Sequence, residues 1–215
     1  MIRLFAGIAV LCASSAVSAN DDDFEFWFNP SASWELDDDT GVEIETAQRW
    51  RDADNGRVDT YFLRLWLTQD LSDAVTVSGA VEQRINDGGA DERRLIQQLN
   101  TSHGILRTRL RLEQRFVNDA DRMGLRVRPR LGVSVPLGEE SPWSFGTDAE
   151  LFFTLRSNNV GGDEGLTGLR TQIGVTYDVN DSLSLTAKYL RNQDIREGRE
   201  DVVGHAPLIG IEYGF

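Results

Sequence analysis

Residues 105–116, ILRTRLRLEQRF, alternate charged and mostly apolar side chains with a period of two. Successive side chains of a β-strand point to opposite faces, whereas those of a helix repeat every 3.6 residues. The segment therefore predicts a strand with one densely charged face and one apolar face. The charged positions are Arg107, Arg109, Arg111, Glu113 and Arg115.

The same period-two pattern recurs along almost the whole chain, and turn-rich segments such as NDGGAD and SNNVGGDEG separate the repeats. No amphipathic helix of useful length competes with it. The pattern predicts an all-β fold, an antiparallel up-and-down barrel. The predicted strands lie at about 42–52, 58–69, 74–85, 93–101, 105–116, 122–136, 143–156, 165–178, 182–191 and 203–215.

The first alternating segment, residues 24–36, makes the number of strands ambiguous. Bacterial single-chain membrane barrels have even strand numbers. Either Pro30 divides the segment into a short hairpin, which gives 12 strands, or part of it lies in the lumen or along the rim, which gives 10. We favour 12. Pro129 lacks a backbone donor in the middle of a strand and predicts a bulge or a missing hydrogen bond there.

The N-terminus has the features of an export signal. Arg3 supplies positive charge, residues 4–12 form a short apolar run, and small residues at 17–19 suit cleavage before Asn20. We therefore expect residues 1–19 to be a removed signal peptide and residues 20–215 to form one barrel domain. The only cysteine, Cys12, lies within the signal. The formal net charge of −13 makes the chain a poor binder of nucleic acid.

Several features favour a barrel that spans the bacterial outer membrane. No later stretch approaches the ~18 to 20 apolar residues of a membrane helix, so a membrane crossing must use strands. The predicted strands are long enough to cross a bilayer when tilted. The connections alternate between long and short, as in outer-membrane barrels. We expect apolar side chains to face lipid and lipopolysaccharide, and polar ones to face the lumen.

The chain ends in an alternating strand, residues 203–215, whose apolar face carries Tyr213 and the C-terminal Phe215. An aromatic C-terminal residue on such a strand is similar to the signal that outer-membrane proteins present to the barrel-assembly machinery. Tyr213 and Phe215 are the predicted assembly signal, and the machinery is a predicted partner.

The charged faces of neighbouring strands can be aligned across the turn at 117–121. Arg111 then faces Arg126 or Arg128, and Arg109 faces Arg128 or Arg130. Because opposed like charges are destabilising, carboxylates must lie among them. Glu113 can reach Arg126, and Asp148 and Glu150 fall beside Arg128 and Arg130. The predicted lumen set, which either attracts anions or holds the barrel together, is Arg107, Arg109, Arg111, Arg126, Arg128 and Arg130, with Glu113, Asp148 and Glu150 as partners.

Four segments resemble the bacterial family catalogued as domain of unknown function 2490. They are RRLIQQLN at 93–100, RLRLEQRF at 109–116, the polar-aromatic WFNPSASWEL at 27–36 and the ending PLIGIEYGF. The resemblance covers essentially the whole chain after the signal and implies an outer-membrane β-barrel. It implies no activity and no catalytic residues.

Two functional hypotheses follow. The lumen is a narrow pore or binding barrel for small anionic solutes, or its arginines and carboxylates only close a structural barrel that supports envelope integrity. An enzyme is a distant third, with His205 acting at the outer rim beside Asp194 or Asp201. No His, Cys and Asp cluster has metal-ligand spacing, and we expect neither a metal nor a cofactor.

Overall fold

The computed structural model describes residues 22–51 and 59–215 of the chain. The predicted signal peptide, residues 1–19, lies outside these ranges. Every segment that was predicted to be a strand is one, with ends that differ by a few residues. The strands are β1 (Asp22–Glu35), β2 (Thr40–Arg51), β3 (Thr60–Ser72), β4 (Val75–Asn86), β5 (Glu92–His103), β6 (Leu106–Val117), β7 (Gly124–Pro136), β8 (Trp143–Arg156), β9 (Gly165–Asn180), β10 (Leu183–Asp194) and β11 (Val202–Gly214).

The strands form a closed barrel in which sequence neighbours pair antiparallel and β1 pairs parallel with β11. The predicted strand number, 12 with 10 as the alternative, is wrong: the described residues form eleven. The wholly antiparallel prediction is wrong at this one seam. Each connection reverses the chain, so with an odd number of strands the first and last run in the same direction and can only pair parallel.

Neither Pro30 nor Pro129 ends its strand, and β1 and β7 are each continuous. Pro30 pairs with Ile211 of β11, while the ladder to β2 is interrupted at residues 29–30 and resumes in the same register. Pro129 likewise pairs with Leu110 of β6, while the ladder to β8 is interrupted at residues 128–129. A proline removes one backbone donor and therefore weakens one of its two ladders without ending the strand. The missing pairing predicted at Pro129 is confirmed.

Along the middle of the strands, most aliphatic side chains lie on the outer surface and the ionised side chains lie inside. Leu110 is 50% exposed, whereas its neighbour Arg111 is 6% exposed and Glu113 is fully buried. Leu65 of β3 is 49% exposed, and its neighbour Arg64 is buried. The predicted orientation of the two strand faces is confirmed.

The two ends of the barrel differ in their connections. The short-connection end carries the links 36–39, 73–74, 104–105, 137–142 and 181–182, and the C-terminus. The long-connection end carries the start of β1 and the links 87–91, 118–123, 157–164 and 195–201. The β2–β3 link also reaches the long-connection end and falls mostly outside the described residues.

Aromatic rings cluster on the outer surface near both ends. At the short-connection end Trp34 stacks on Phe215, with centroids 4.9 Å apart, and Trp143 contacts Tyr177 at 4.6 Å. At the other end Phe26 and Trp50 stack at 5.5 Å. The described ranges hold no helix that is long and apolar enough to cross a membrane.

Candidate functional site in the barrel interior

Glu113 of β6 is the centre of one group of charges inside the barrel. Its Oε2 accepts hydrogen bonds from Arg126 Nε and Nη2, at 3.0 and 2.6 Å, and its Oε1 accepts one from Arg128 Nη1 at 2.5 Å. Arg94 Nη1 lies 3.8 Å from Oε2. The contact between Glu113 and Arg126 that the strand alignment predicted is present, and these two residues are register partners.

Glu150 of β8 holds the neighbouring group. It accepts hydrogen bonds from Arg128 Nε and Nη2, at 3.1 and 2.7 Å, and from Arg109 Nη2. Arg170 Nη1 lies 3.8 Å away. Arg128 is therefore shared between Glu113 and Glu150, and it joins β6, β7 and β8 through their side chains.

The remaining predicted lumen arginines make different contacts from one another. Arg130 donates to Asp148 at 2.8 Å, as the alignment indicated. Arg111 lies opposite Arg128 and donates from Nε to Gln98 at 2.8 Å, not to a carboxylate. Arg107 is exposed at the short-connection end, where it donates to the backbone carbonyls of Gly104 and Leu106.

A second set of ion pairs lies on the adjoining strands β2 to β5. Arg64 donates from Nε to Glu82 at 2.8 Å and from Nη1 to Glu45 at 2.5 Å. Arg84 donates twice to the same Glu82, at 3.0 and 2.9 Å. Arg94 donates to Glu92 at 2.6 Å. Breaking one member of such a buried pair leaves an uncompensated charge, so these contacts hold the strands in one arrangement.

Aromatic side chains inside the barrel are part of the site, and the sequence analysis did not identify them. The indole of Trp27 and the rings of Phe62, Trp66 and Phe152 are all buried. They share the parity of the charged positions, which is the signal that could have revealed them. Guanidinium groups stack on these rings, for example Arg128 on Phe152 with Cζ 4.4 Å from the centroid. Such stacking suits arginine more than lysine.

A cavity of about 560 Å³ runs between these groups. It extends from Asn86 and Asp194, the last residues of β4 and β10 at the long-connection end, to Glu43 and Glu212 near the other end. Of the described residues, thirteen basic and seven acidic side chains line it. The basic ones are Arg49, Arg51, Arg64, Arg84, Arg94, Arg109, Arg111, Arg115, Arg126, Arg128, Arg130, Arg170 and Lys188, and the acidic ones are Glu25, Glu43, Glu45, Glu92, Glu150, Asp194 and Glu212.

Tyr213, Phe215, His205 and Asp201 do not line this cavity, whereas Asp194, the other predicted partner of His205, does. Tyr213 and Phe215 are exposed on the outer surface, with ring centroids 4.7 Å apart. His205 Nδ1 hydrogen-bonds the hydroxyl of Tyr189 at 2.5 Å, and Asp201 accepts from Gln193 at 2.7 Å. Across residues 22–51 and 59–215, no group of three or more His, Cys, Asp or Glu residues is arranged to hold a metal ion.

The sequence profile of the family described as "Protein of unknown function (DUF2490)" matches residues 24–203. The chain belongs to this family. The DUF2490 match starts in β1 and ends in β11, so it includes the interior arginines, the aromatic rings and, except for Glu212, the carboxylates described above. No curated protein sequence matches this DUF2490 chain at a significant level.

Proposed function

We propose that this DUF2490 protein is a bacterial outer-membrane barrel whose interior is a narrow pathway for small anionic solutes. The observation that carries the proposal is the charge of the cavity lining, thirteen basic against seven acidic side chains among the described residues. The chain as a whole has a net charge of −13. Positive charge is therefore concentrated in the interior of an acidic protein, where it attracts anions.

The outer surface supports placement in a membrane. Leu65 and Leu110 belong to a broad apolar face that is exposed along the middle of the strands. Aromatic side chains such as Trp34 and Trp50 lie near its two ends, as the interfacial girdles of outer-membrane barrels do. In this proposal the short-connection end faces the periplasm, so Tyr213 and Phe215 lie at the end of the barrel that the assembly machinery would contact.

The shape of the interior favours small solutes over large ones. Glu113 and Glu150 are buried beneath the guanidinium groups of Arg109, Arg126 and Arg128, which narrows the space between the walls. The cavity nevertheless extends along most of the strand length. Such a lumen admits ions and small carboxylates or phosphates better than larger nutrients.

Planar-bilayer conductance of the chain without residues 1–19, refolded in detergent, tests the proposal. Under a potassium chloride gradient we expect small single-channel currents with a reversal potential that shows anion selectivity. Arg130→Gln removes a partly exposed lining charge and should reduce this selectivity. Arg122→Gln, which changes an exposed arginine of the 118–123 link, is the matched control and should leave it unchanged. Cation-selective current would contradict the proposal.

A structural barrel is the second candidate, and the burial of Glu82, Glu113 and Glu150 favours it. Each of these carboxylates contacts several arginines. Glu82 and Glu113 do not line the cavity, and Glu150 lines it but is only 1% exposed. If they serve only to close the barrel, the refolded protein is stable and its bilayers are silent. In that case removal of the protein should weaken the envelope without changing solute uptake.

A further inference from the structure

Guanidinium groups and aromatic rings alternate in one row across the barrel interior. Arg49 Cζ lies 3.7 Å from the ring centroid of Trp27 and 5.3 Å from that of Phe62. Arg170 Cζ lies 4.9 Å from the centroid of Trp27 and 5.0 Å from that of Phe152. Trp27 is thus in contact with two cations, and its own Nε1 donates to Glu25 at 2.6 Å.

Arg49 differs from the other interior arginines in having no side-chain acceptor among the described residues; Arg111, which also lacks a carboxylate partner, donates to Gln98. No described residue accepts a hydrogen bond from it or forms a salt bridge with it, and its Nε is buried without an acceptor. Arg49 and Arg84 both lie over the ring of Phe62, with Cζ 5.3 and 5.0 Å from its centroid. By comparison, Arg128 is held by both Glu113 and Glu150.

Arg170 and Arg84 contact the same rings as Arg49, and each shares its carboxylate with another arginine, Glu150 with Arg128 and Glu82 with Arg64. Arg170 donates from Nε and Nη2 to the amide oxygen of Asn192, both at 3.2 Å, and its nearest carboxylate, Glu150, is 3.8 Å away and is already bound by Arg128. Arg84 binds Glu82 through Nε and Nη2. Both arginines line the same cavity as Arg49.

An uncompensated charge inside a protein is costly, and a bound counterion removes that cost. A planar guanidinium donates two parallel hydrogen bonds to an oxyanion, which a halide cannot accept in the same way. The cavity volume of about 560 Å³ lies in the range of small-ligand sites.

We propose that Arg49, with Arg84 and Arg170, forms a binding site for a phosphate group, either inorganic phosphate or a small phosphate monoester, on the pathway described above. The inference rests on the proposed function because the anion reaches Arg49 through the same lumen. Trp27 and Phe62 hold the Arg49 guanidinium in place and leave its donors for the ligand.

Isothermal titration of the refolded chain with inorganic phosphate tests the site at low ionic strength, with potassium chloride as the comparison and glycerol phosphate as a second ligand. We expect saturable binding of phosphate and only weak effects of chloride. Loss of charge-assisted hydrogen bonds should raise the Kd by about tenfold or more in Arg49→Gln. Tighter binding of glycerol phosphate than of phosphate would identify a monoester as the natural ligand.

Arg107→Gln is the matched control because Arg107 donates only to backbone carbonyls at the rim and is exposed there. Its phosphate affinity should equal that of the parent chain. Arg49→Lys covers the case in which Arg49→Gln does not fold, since it keeps the charge and loses the planar fork. Phosphate should then raise the unfolding temperature of the parent chain and raise it less in Arg49→Lys.

The outcomes separate this site from the proposed pathway. Absence of saturable phosphate binding, or equal affinity in Arg49→Gln, would overturn the site even if the bilayer current is anion-selective. Saturable binding that depends on Arg49 supports the site even if the bilayers are silent, and the pathway alone would then be wrong.

Discussion

Glu113 accepts two hydrogen bonds from Arg126 through one carboxylate oxygen, at 3.0 Å from Nε and 2.6 Å from Nη2. The two residues are register partners on β6 and β7, so the contact crosses a single ladder. The other oxygen of Glu113 binds Arg128, which continues the network to Glu150 on β8. One buried carboxylate thus compensates two guanidinium groups that would otherwise repel each other.

Glu113→Ala should strongly destabilise the barrel because it leaves Arg126 and Arg128 without their shared partner. Breaking a buried ion pair by removing one member costs about 3 to 5 kcal/mol. Denaturant unfolding in detergent micelles, followed by tryptophan fluorescence, measures the change. Glu164→Ala removes an exposed pair with Arg122 and should cost less than about 1 kcal/mol. Equal stability of the two variants would contradict a structural role for the network.

Leu65→Arg tests whether the outer surface faces lipid. Leu65 is 49% exposed in the middle of β3, and a lipid-facing arginine near the membrane centre costs about 2 to 4 kcal/mol. We expect a much lower folding yield in lipid vesicles. The yield is measured on gels as the fraction of protein whose mobility changes when the sample is heated. Leu137→Arg is the control, because Leu137 is similarly exposed but lies in the 137–142 link. If both variants fold equally well, the surface faces water.

The sequence was sufficient to predict the faces and to limit the local register to two alternatives. Alternation fixes which side chains share a face, and the turn at 117–121 limits how β6 and β7 can align. Arg111 could face Arg126 or Arg128, and the structure has the second of these registers, with Glu113 opposite Arg126. Such information is local, because it depends only on two strands and the connection between them.

The closure of the barrel could not be predicted in the same way. Alternation in residues 24–36 is the same whether the strand pairs parallel or antiparallel, so it carries no information about its neighbour. The expected even strand number was a general rule and not a property of these residues. Trp27 and Phe62 share the parity of the charged residues Glu25 and Arg64, which indicates an inward position. The expectation that all large apolar side chains face outward concealed this.

Cysteine cross-linking tests the parallel seam between β1 and β11. Ala32 and Tyr213 are register partners, and the only native cysteine, Cys12, lies in the predicted signal. Ala32→Cys combined with Tyr213→Cys should be joined by a short bifunctional thiol reagent in the folded protein, as detected by mass spectrometry. Ala32→Cys combined with Ile209→Cys is offset by four residues, about 13 Å along the strand, and should react little. A similar yield in both pairs would show that this register is wrong.

Gly174→Ala should destabilise the barrel, whereas the same change at its register partner Gly146 should not. A Cβ at position 174 would lie 2.2 Å from the backbone oxygen of Ala187 and 2.6 Å from the Cα of Lys188, so β9 and β10 must separate. Such overpacking costs about 1 to 3 kcal/mol. At position 146 the nearest contact is 3.6 Å, to the backbone oxygen of Val133, and the loss of backbone freedom in the unfolded chain makes alanine neutral or slightly stabilising. The denaturant midpoints of the two variants, measured in the same micelles, test this prediction. Both substitutions add one methyl group to neighbouring strands, and they differ only in the atoms that the methyl group contacts.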